Sequence, residues 1–280
     1  MVKERNIVAI GGGGFGRDPG EGIIEEYILK QTKKKKPNIC FIPTATGDNE
    51  AYKVNYYATF SKLNCNPSHL DFFKRTPDLK RLISNQDAIF VGGGNTKSML
   101  AVWKEWGLDK ILKKAYKDGI VMSGVSAGAI CWFHSGITDS WDSNLKVMPC
   151  MNIIKGTCCP HYDEEPERKP TVKKLIVSKK LKNIYAVDGG AAVGGERGRA
   201  GGRGLLVPQF RDGLADDALL ELDEVDEDVQ EWWVVTTPER FSGGKAMLAQ
   251  PCAPLPRIAS FADCLGNLKS DERRNVAYTR

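Results

Sequence analysis

The chain has 280 residues, 41% of them hydrophobic and 27% charged, which is enough to bury a core and excludes a chain that is disordered throughout. Its net charge of +5 is divided unevenly, since residues 1–192 carry 29 basic and 20 acidic side chains and residues 193–280 carry 11 and 15. The basic residues also change from mostly lysine to mostly arginine there. We therefore expect one folded domain over 1–193 and an atypical Gly/Arg-rich linker with an acidic tail over 194–280.

Short apolar runs alternate with longer amphipathic stretches up to about residue 190. The predicted strands are Asn6–Ile10, Ile39–Thr44, His69–Phe72, Ala88–Val91, Ile120–Ser123 and Ile184–Asp188. The predicted helices are Glu21–Thr32, Ala51–Leu63, Thr96–Trp106, Leu108–Lys117 and Ser126–Phe133. This alternation is typical of an α/β fold with a mostly parallel sheet and helices on both faces.

The alternation stops after residue 193. Gly194–Gly204 is rich in glycine and arginine and is typical of a flexible linker. Asp216–Glu231 is acidic, and Trp232–Thr236 is predicted as one more strand. We recognise no chemistry in the rest of this part.

The sequence shows no targeting segment and no apolar run long enough to cross a membrane. Eight cysteines without CxxC pairs favour reduced thiols, and three histidines offer few metal ligands. We expect a cytoplasmic protein without a metal or other cofactor.

The strongest local motif is Gly124-Val125-Ser126-Ala127-Gly128, a G-x-S-x-G sequence between a predicted strand and a predicted helix. A nucleophile elbow needs this context, because the serine occupies a strained turn between small residues at a helix N-terminus. The alternative is a tight strand-to-helix turn with a capping serine. The motif favours Ser126 as a nucleophile.

A serine hydroxyl needs a base to remove its proton. His134 is predicted on the same helix as Ser126 and about 12 Å away at roughly 1.5 Å per residue, while His69 opens an early strand. His161 lies in a loop-like segment and is our choice for the base. For the carboxylate that orients the imidazole, Asp139 is the first choice and Asp142 the alternative.

Glycines Gly92 to Gly94 follow a strand and precede a helix. Their backbone N–H groups should meet the same edge of the sheet as Ser126, so we predict an oxyanion hole from Gly94, Asn95 and Ala127. The alternative for this loop is a phosphate-binding site.

Taken together, these motifs resemble the dipeptidase E (α-aspartyl dipeptidase) family of serine peptidases, to which cyanophycinase is related. The resemblance covers about residues 6–193 and rests on Ile7–Gly14, Ile42–Ala45, Gly92–Asn95, Gly124–Ala129, Pro160–Tyr162 and Val187–Ala191.

The resemblance implies a three-layer sandwich like that of class I glutamine amidotransferases. It also implies a Ser126–His161 pair with Asp139 as third member, and hydrolysis of dipeptides that begin with aspartate. Arg168 is the nearest match to an arginine that binds the substrate's side-chain carboxylate, and a guanidinium suits that task. The extra residues 194–280 depart from the family pattern.

Parts of the sequence are also consistent with two other functions. The sequence Gly11-x-Gly13-x-x-Gly16 matches the dinucleotide fingerprint of an NAD(P)-dependent oxidoreductase, but the second predicted strand does not end in the acidic residue that binds ribose. A non-enzymatic, RNA-associated protein would use the Gly/Arg segment, which lacks interleaved aromatics. We expect a small peptide substrate and no nucleic acid or membrane partner; monomer and homodimer both stay open.

Overall fold

The structure, a computed structural model, describes residues 4–17, 22–178, 180–181 and 184–193, and the backbone of 194–196, 204–207 and 233–235. The strands are β1 (Asn6–Ile10), β2 (Asn38–Ile42), β3 (Asn66–His69), β4 (Ala88–Val91), β5 (Val121–Val125), β6 (Phe133–Thr138), β7 (Lys146–Pro149), β8 (Ile154–Cys159), β9 (Ile184–Val187), β10 (Ala192–Glu196), β11 (Gly204–Val207) and β12 (Trp233–Val235). The helices are α1 (Ile23–Gln31), α2 (Glu50–Phe60), α3 (Leu79–Ser84), α4 (Thr96–Trp106), α5 (Leu108–Lys117), α6 (Ala127–Ile130) and α7 (Arg168–Val177).

These strands form two sheets. The larger has the order β11-β10-β1-β5-β4-β2-β3, in which the five strands from β1 to β3 are parallel and β10 and β11 pair antiparallel. The smaller has the order β12-β9-β8-β6-β7, in which β7 alone pairs antiparallel among the described strands. The predicted α/β class with mostly parallel strands is confirmed.

Alternate residues of the larger sheet enter two different cores. Ile7 and Ala9 of β1 pack in one cluster with residues of α3, α4 and α5, whereas Val8 and Ile10 pack in another with residues of α1 and α2. Because side chains alternate along a strand, the completely buried strands need helices on both faces. This is the three-layer arrangement that the sequence predicted.

Several predicted elements need correction. The helix expected over Ser126–Phe133 ends at Ile130, and Phe133 begins β6, because residues 133–138 gain more from pairing with β7 and β8 than from continuing a short helix. The strand predicted at His69–Phe72 lies earlier, at Asn66–His69. The sequence did not predict α3, β7, β8 or α7.

The seam expected at residue 193 stays a prediction, but β10 crosses it and continues to Glu196 with each residue paired to β1. Of the predicted linker Gly194–Gly204, only 194–196 and 204 are described, as strand. Asp216–Glu231 lies outside the described residues. No helix in the described part of the chain is long and apolar enough to cross a membrane.

Candidate active site

Ser126 lies in the turn that joins β5 to α6, with φ 56° and ψ −111°. A non-glycine residue in this region is strained by roughly 1–3 kcal/mol. The turn closes only because its neighbours are small: a Cβ on Gly124 would lie 2.5 Å from the Gly128 carbonyl oxygen, and one on Gly128 would lie 2.1 Å from that of Val91. The backbone therefore has the geometry of the predicted nucleophile elbow.

The end of β1 holds both the predicted nucleophile and the predicted base. Ser126 N donates to the Ile10 carbonyl oxygen at 3.0 Å, and His161 N donates to the next carbonyl, Gly11, at 3.3 Å. His161 follows β8 at a positive φ of 52° and is 9% exposed. Among the described residues no hydrogen bond joins Ser126 Oγ to His161, and such bonds often tighten only when substrate is bound.

The carboxylate that contacts His161 is Glu164. Its Oε2 lies 2.6 Å from His161 Nδ1, and its Oε1 accepts a hydrogen bond from an Arg17 terminal nitrogen, also at 2.6 Å. The hydrogen bond from His161, followed by that from Arg17, lowers the pKa of Glu164 to about 2 despite its partial burial. With Nδ1–H donating to this carboxylate, His161 Nε2 is left as a proton acceptor.

Two glycines make room for this pair. A Cβ on Gly12 would lie 2.8 Å from both His161 Nδ1 and Glu164 Oε2, and one on Gly189 would lie 1.9 Å from Glu164 Oε1. The two glycines pair through an isolated bridge. Any larger residue at either position would displace the carboxylate.

The structure does not pair His161 with Asp139 as predicted. Asp139 is exposed after β6, and its carboxylate has no hydrogen bond or ion pair within the described part of the chain. The alternative, Asp142, accepts from Asn144 N and pairs with Lys146, which lowers its pKa. Glu164 was missed because neither helical nor strand periodicity marks it; the usable signal was its spacing of three from His161.

The predicted oxyanion donors divide into two groups. The amides of Gly94 and Ala127 have no hydrogen-bond partner among the residues that the structure describes. Asn95 is a correction: its amide donates to the Ala45 carbonyl at 2.8 Å, and its side chain caps α4 by accepting from Ser98 N. The Asn95 amide is therefore not available to an oxyanion, and the Asn95 side chain stabilises the start of α4.

Sequence reasoning also missed Gly93. A Cβ there would lie 3.3 Å from Ser126 Cβ, so the loop approaches the serine closely at this residue and a side chain would crowd it. Gly93 N donates to the Tyr52 hydroxyl at 3.4 Å. Burial raises the pKa of Tyr52 to about 12, so this hydroxyl keeps its proton.

Arg168, predicted to bind the substrate carboxylate, is 3% exposed at the start of α7. Its Nε donates to Glu165 at 2.7 Å, and a terminal nitrogen donates to the Ile137 carbonyl at 3.0 Å. The guanidinium thus ties α7 to β6. The structure therefore corrects the prediction that Arg168 binds the substrate carboxylate. The prediction failed because the sequence did not indicate β6, the strand that supplies the Ile137 carbonyl.

A further carboxyl group lies beside the site. Asp188 follows β9 and is 5% exposed. Burial, then the charges of Asp163 and Glu164, raises its pKa to about 7, although Lys169 opposes the shift. Asp163 itself accepts a hydrogen bond from Gly189 N at 2.6 Å.

The dinucleotide alternative does not match the observed loop. After β1 the chain forms a short 3₁₀ turn at Gly14–Gly16, and α1 begins only at Ile23. The fingerprint requires the glycines to lead directly into the helix whose N-terminus binds the pyrophosphate. Here Gly12 instead packs against His161 and Glu164.

Comparison with known proteins finds peptidases. A family model described as peptidase family S51 matches residues 7–200. The uncharacterized peptidase YgaJ of Bacillus subtilis (strain 168) is 47% identical over 190 residues, which are 68% of this chain and 82% of that protein. The uncharacterized peptidase Lmo0363 of Listeria monocytogenes is 26% identical over 55% of this chain and 80% of its own length.

Two solved structures share the fold. A peptidase from an acI-B1 Actinobacterium superposes with a TM-score of 0.58 at 18% identity, over 74% of this chain and 89% of that one. A putative peptidase E protein from Listeria monocytogenes EGD-e gives 0.54 at 22% identity, over 72% and 99%. With the family model matching well over half of its length, the chain belongs to peptidase family S51.

Proposed function

We propose that this peptidase is a serine exopeptidase that hydrolyses short peptides, with a preference for dipeptides that begin with aspartate. The observation that carries the serine mechanism is the strained elbow at Ser126, held by the same strand end as His161, whose Nδ1 bonds Glu164. A strained serine, a buried imidazole and an ionised carboxylate are the three parts that activate a hydroxyl nucleophile.

In the proposed reaction, Ser126 Oγ attacks the peptide carbonyl carbon while His161 Nε2 takes the hydroxyl proton. Glu164 holds the ring and stabilises its positive charge. The amides of Gly94 and Ala127 stabilise the oxyanion of the tetrahedral intermediate. The C–N bond then breaks as His161 returns its proton to the leaving amine, and the second half of the reaction repeats these steps with water on the acyl-enzyme.

The substrate preference rests on the resemblance to dipeptidase E. Arg168 no longer supports it, because its guanidinium is buried against Glu165 and Ile137. The Arg17 side chain, 47% exposed and bonded to Glu164, is a cation of the site itself. Its charge is balanced by Glu164 in this ion pair, so the substrate preference does not depend on it.

The test compares hydrolysis of Asp-X, Glu-X and X-Asp dipeptides by the wild type, Ser126→Ala and the control Ser84→Ala. Ser84 is an exposed serine at the end of α3. We expect Ser126→Ala to lose at least about 10³-fold in kcat, the scale of nucleophile loss in triad enzymes, and Ser84→Ala to match the wild type. Full activity of Ser126→Ala would refute the mechanism, whereas equal cleavage of all three dipeptides would refute only the substrate preference.

A further inference from the structure

Arg17 follows the 3₁₀ turn at the end of the β1 loop, with its own amide bonded to the Gly14 carbonyl at 2.9 Å. Its side chain is half-exposed, yet it ends on Glu164, which is 8% exposed and 147 positions later in the chain. A surface ion pair usually contributes little to stability. This pair differs because its acidic partner is also the partner of His161.

The geometry points to Arg17 as a positioning residue of the site. It binds Glu164 Oε1 so that Oε2 is directed at His161 Nδ1, and it keeps this carboxylate ionised and in one rotamer. The inference deepens the proposed serine mechanism and rests on it. The two oxygens have separate partners, so loss of Arg17 frees the carboxylate to rotate away from the imidazole.

The charges around Glu164 explain why a cation is needed there. Asp163 and Asp188 lie on the same side of the site, and the charge of Glu164 contributes to the raised pKa of Asp188. Lys169 offsets Asp188, while Arg17 offsets Glu164. Removing Arg17 would take a cation away from Glu164, which lies within a group of three carboxylates.

Loss of Arg17 should therefore slow the chemical step rather than weaken substrate binding. Once Glu164 Oε2 is no longer directed at Nδ1, the imidazole is held less firmly in the orientation that accepts the serine proton. We expect the loss to fall on kcat with KM little changed, because this proton transfer belongs to the transition state.

The experiment measures kcat and KM at neutral pH for the wild type, Arg17→Met, Arg17→Lys and the control Arg81→Met. Arg81 lies on α3, at the opposite edge of the sheet, and has no described ion pair. The second readout is the rate at which a phosphonate probe modifies Ser126, because it reports activation of the serine without depending on dipeptide specificity. We expect about tenfold lower kcat in Arg17→Met at neutral pH, with KM within about twofold, and partial recovery in Arg17→Lys.

An unchanged rate of phosphonate modification in Arg17→Met would overturn the inference, because activation of Ser126 would then not depend on Arg17. A rise in KM confined to Asp-X would also overturn it, in favour of direct substrate binding. If Ser126→Ala keeps its activity, the proposed mechanism fails whatever Arg17 does. If Ser126→Ala is inactive while both Arg17 variants behave like the wild type, only the role of Arg17 fails.

Discussion

Replacing Glu164 by glutamine keeps the size of the side chain and removes its charge. The pKa of this carboxyl falls from 4.5 to about 2, chiefly through its hydrogen bond with His161. At 1.36 kcal/mol per pKa unit, this lowering of the Glu164 pKa corresponds to ~3 kcal/mol. Arg17 contributes part of this energy and solvent reduces it, so we assign about 2 kcal/mol to the contact with the imidazole. That energy corresponds to roughly 30-fold in rate. Loss of the correct tautomer adds to it, and we expect kcat/KM to fall about 10²–10³-fold.

The matched control is Asp139→Asn, which removes the same charge from the carboxylate that the sequence favoured. Its carboxylate has no described partner, and we expect a change below about threefold, as for an exposed substitution away from partners. Both variants are assayed on an Asp-X dipeptide, with thermal melts to verify folding. A large loss in Asp139→Asn together with a nearly wild-type Glu164→Gln would refute the assignment of Glu164.

Three other predictions concern neighbouring residues. The folded pKa of Asp188 is raised from 3.8 to about 7, which corresponds to about 4 kcal/mol at 1.36 kcal/mol per unit, so wild-type stability should fall as pH rises through that window. Asp188→Asn should remove this fall, with a gain of up to about 4 kcal/mol at pH 8 and none at pH 4 in thermal melts. Arg168→Met should cost about 3 kcal/mol in urea unfolding while leaving KM for Asp-X unchanged, and a selective rise in KM at constant stability would contradict the buried role. Asn95→Ala should lose about 1 kcal/mol from the missing cap of α4 yet keep kcat within a few fold, whereas a large loss of kcat at unchanged stability would contradict the purely capping role of its side chain.

The parts of the fold that the sequence predicted are those set by local pattern. β1, β4 and α4 have the predicted bounds, because each is an uninterrupted apolar run or a helix with a clear start at Asn95. The elbow at Ser126 was also predictable, since its glycines are adjacent in sequence. In each case the information lies within a few residues of the feature.

The missed parts depend either on a turn that has no sequence signature or on contacts between distant residues. Glu164 reaches His161 because the turn after β8 doubles back, with the amides of Glu164 and Glu165 both bonded to the His161 carbonyl. No pattern of hydrophobicity encodes that turn. Arg168 is buried because β6 supplies the Ile137 carbonyl, and β6 begins where the sequence predicted the end of a helix.

The two adjacent carbonyl groups at the end of β1 have a consequence for biosynthesis. Ile10 and Gly11 are made before the residues that they hold, since Ser126 and His161 follow more than a hundred residues later. Pairing between such distant residues forms late in folding, because closing long loops costs entropy before any contact repays it. A growing chain would therefore acquire peptidase activity only once the first strand is inserted beside β5.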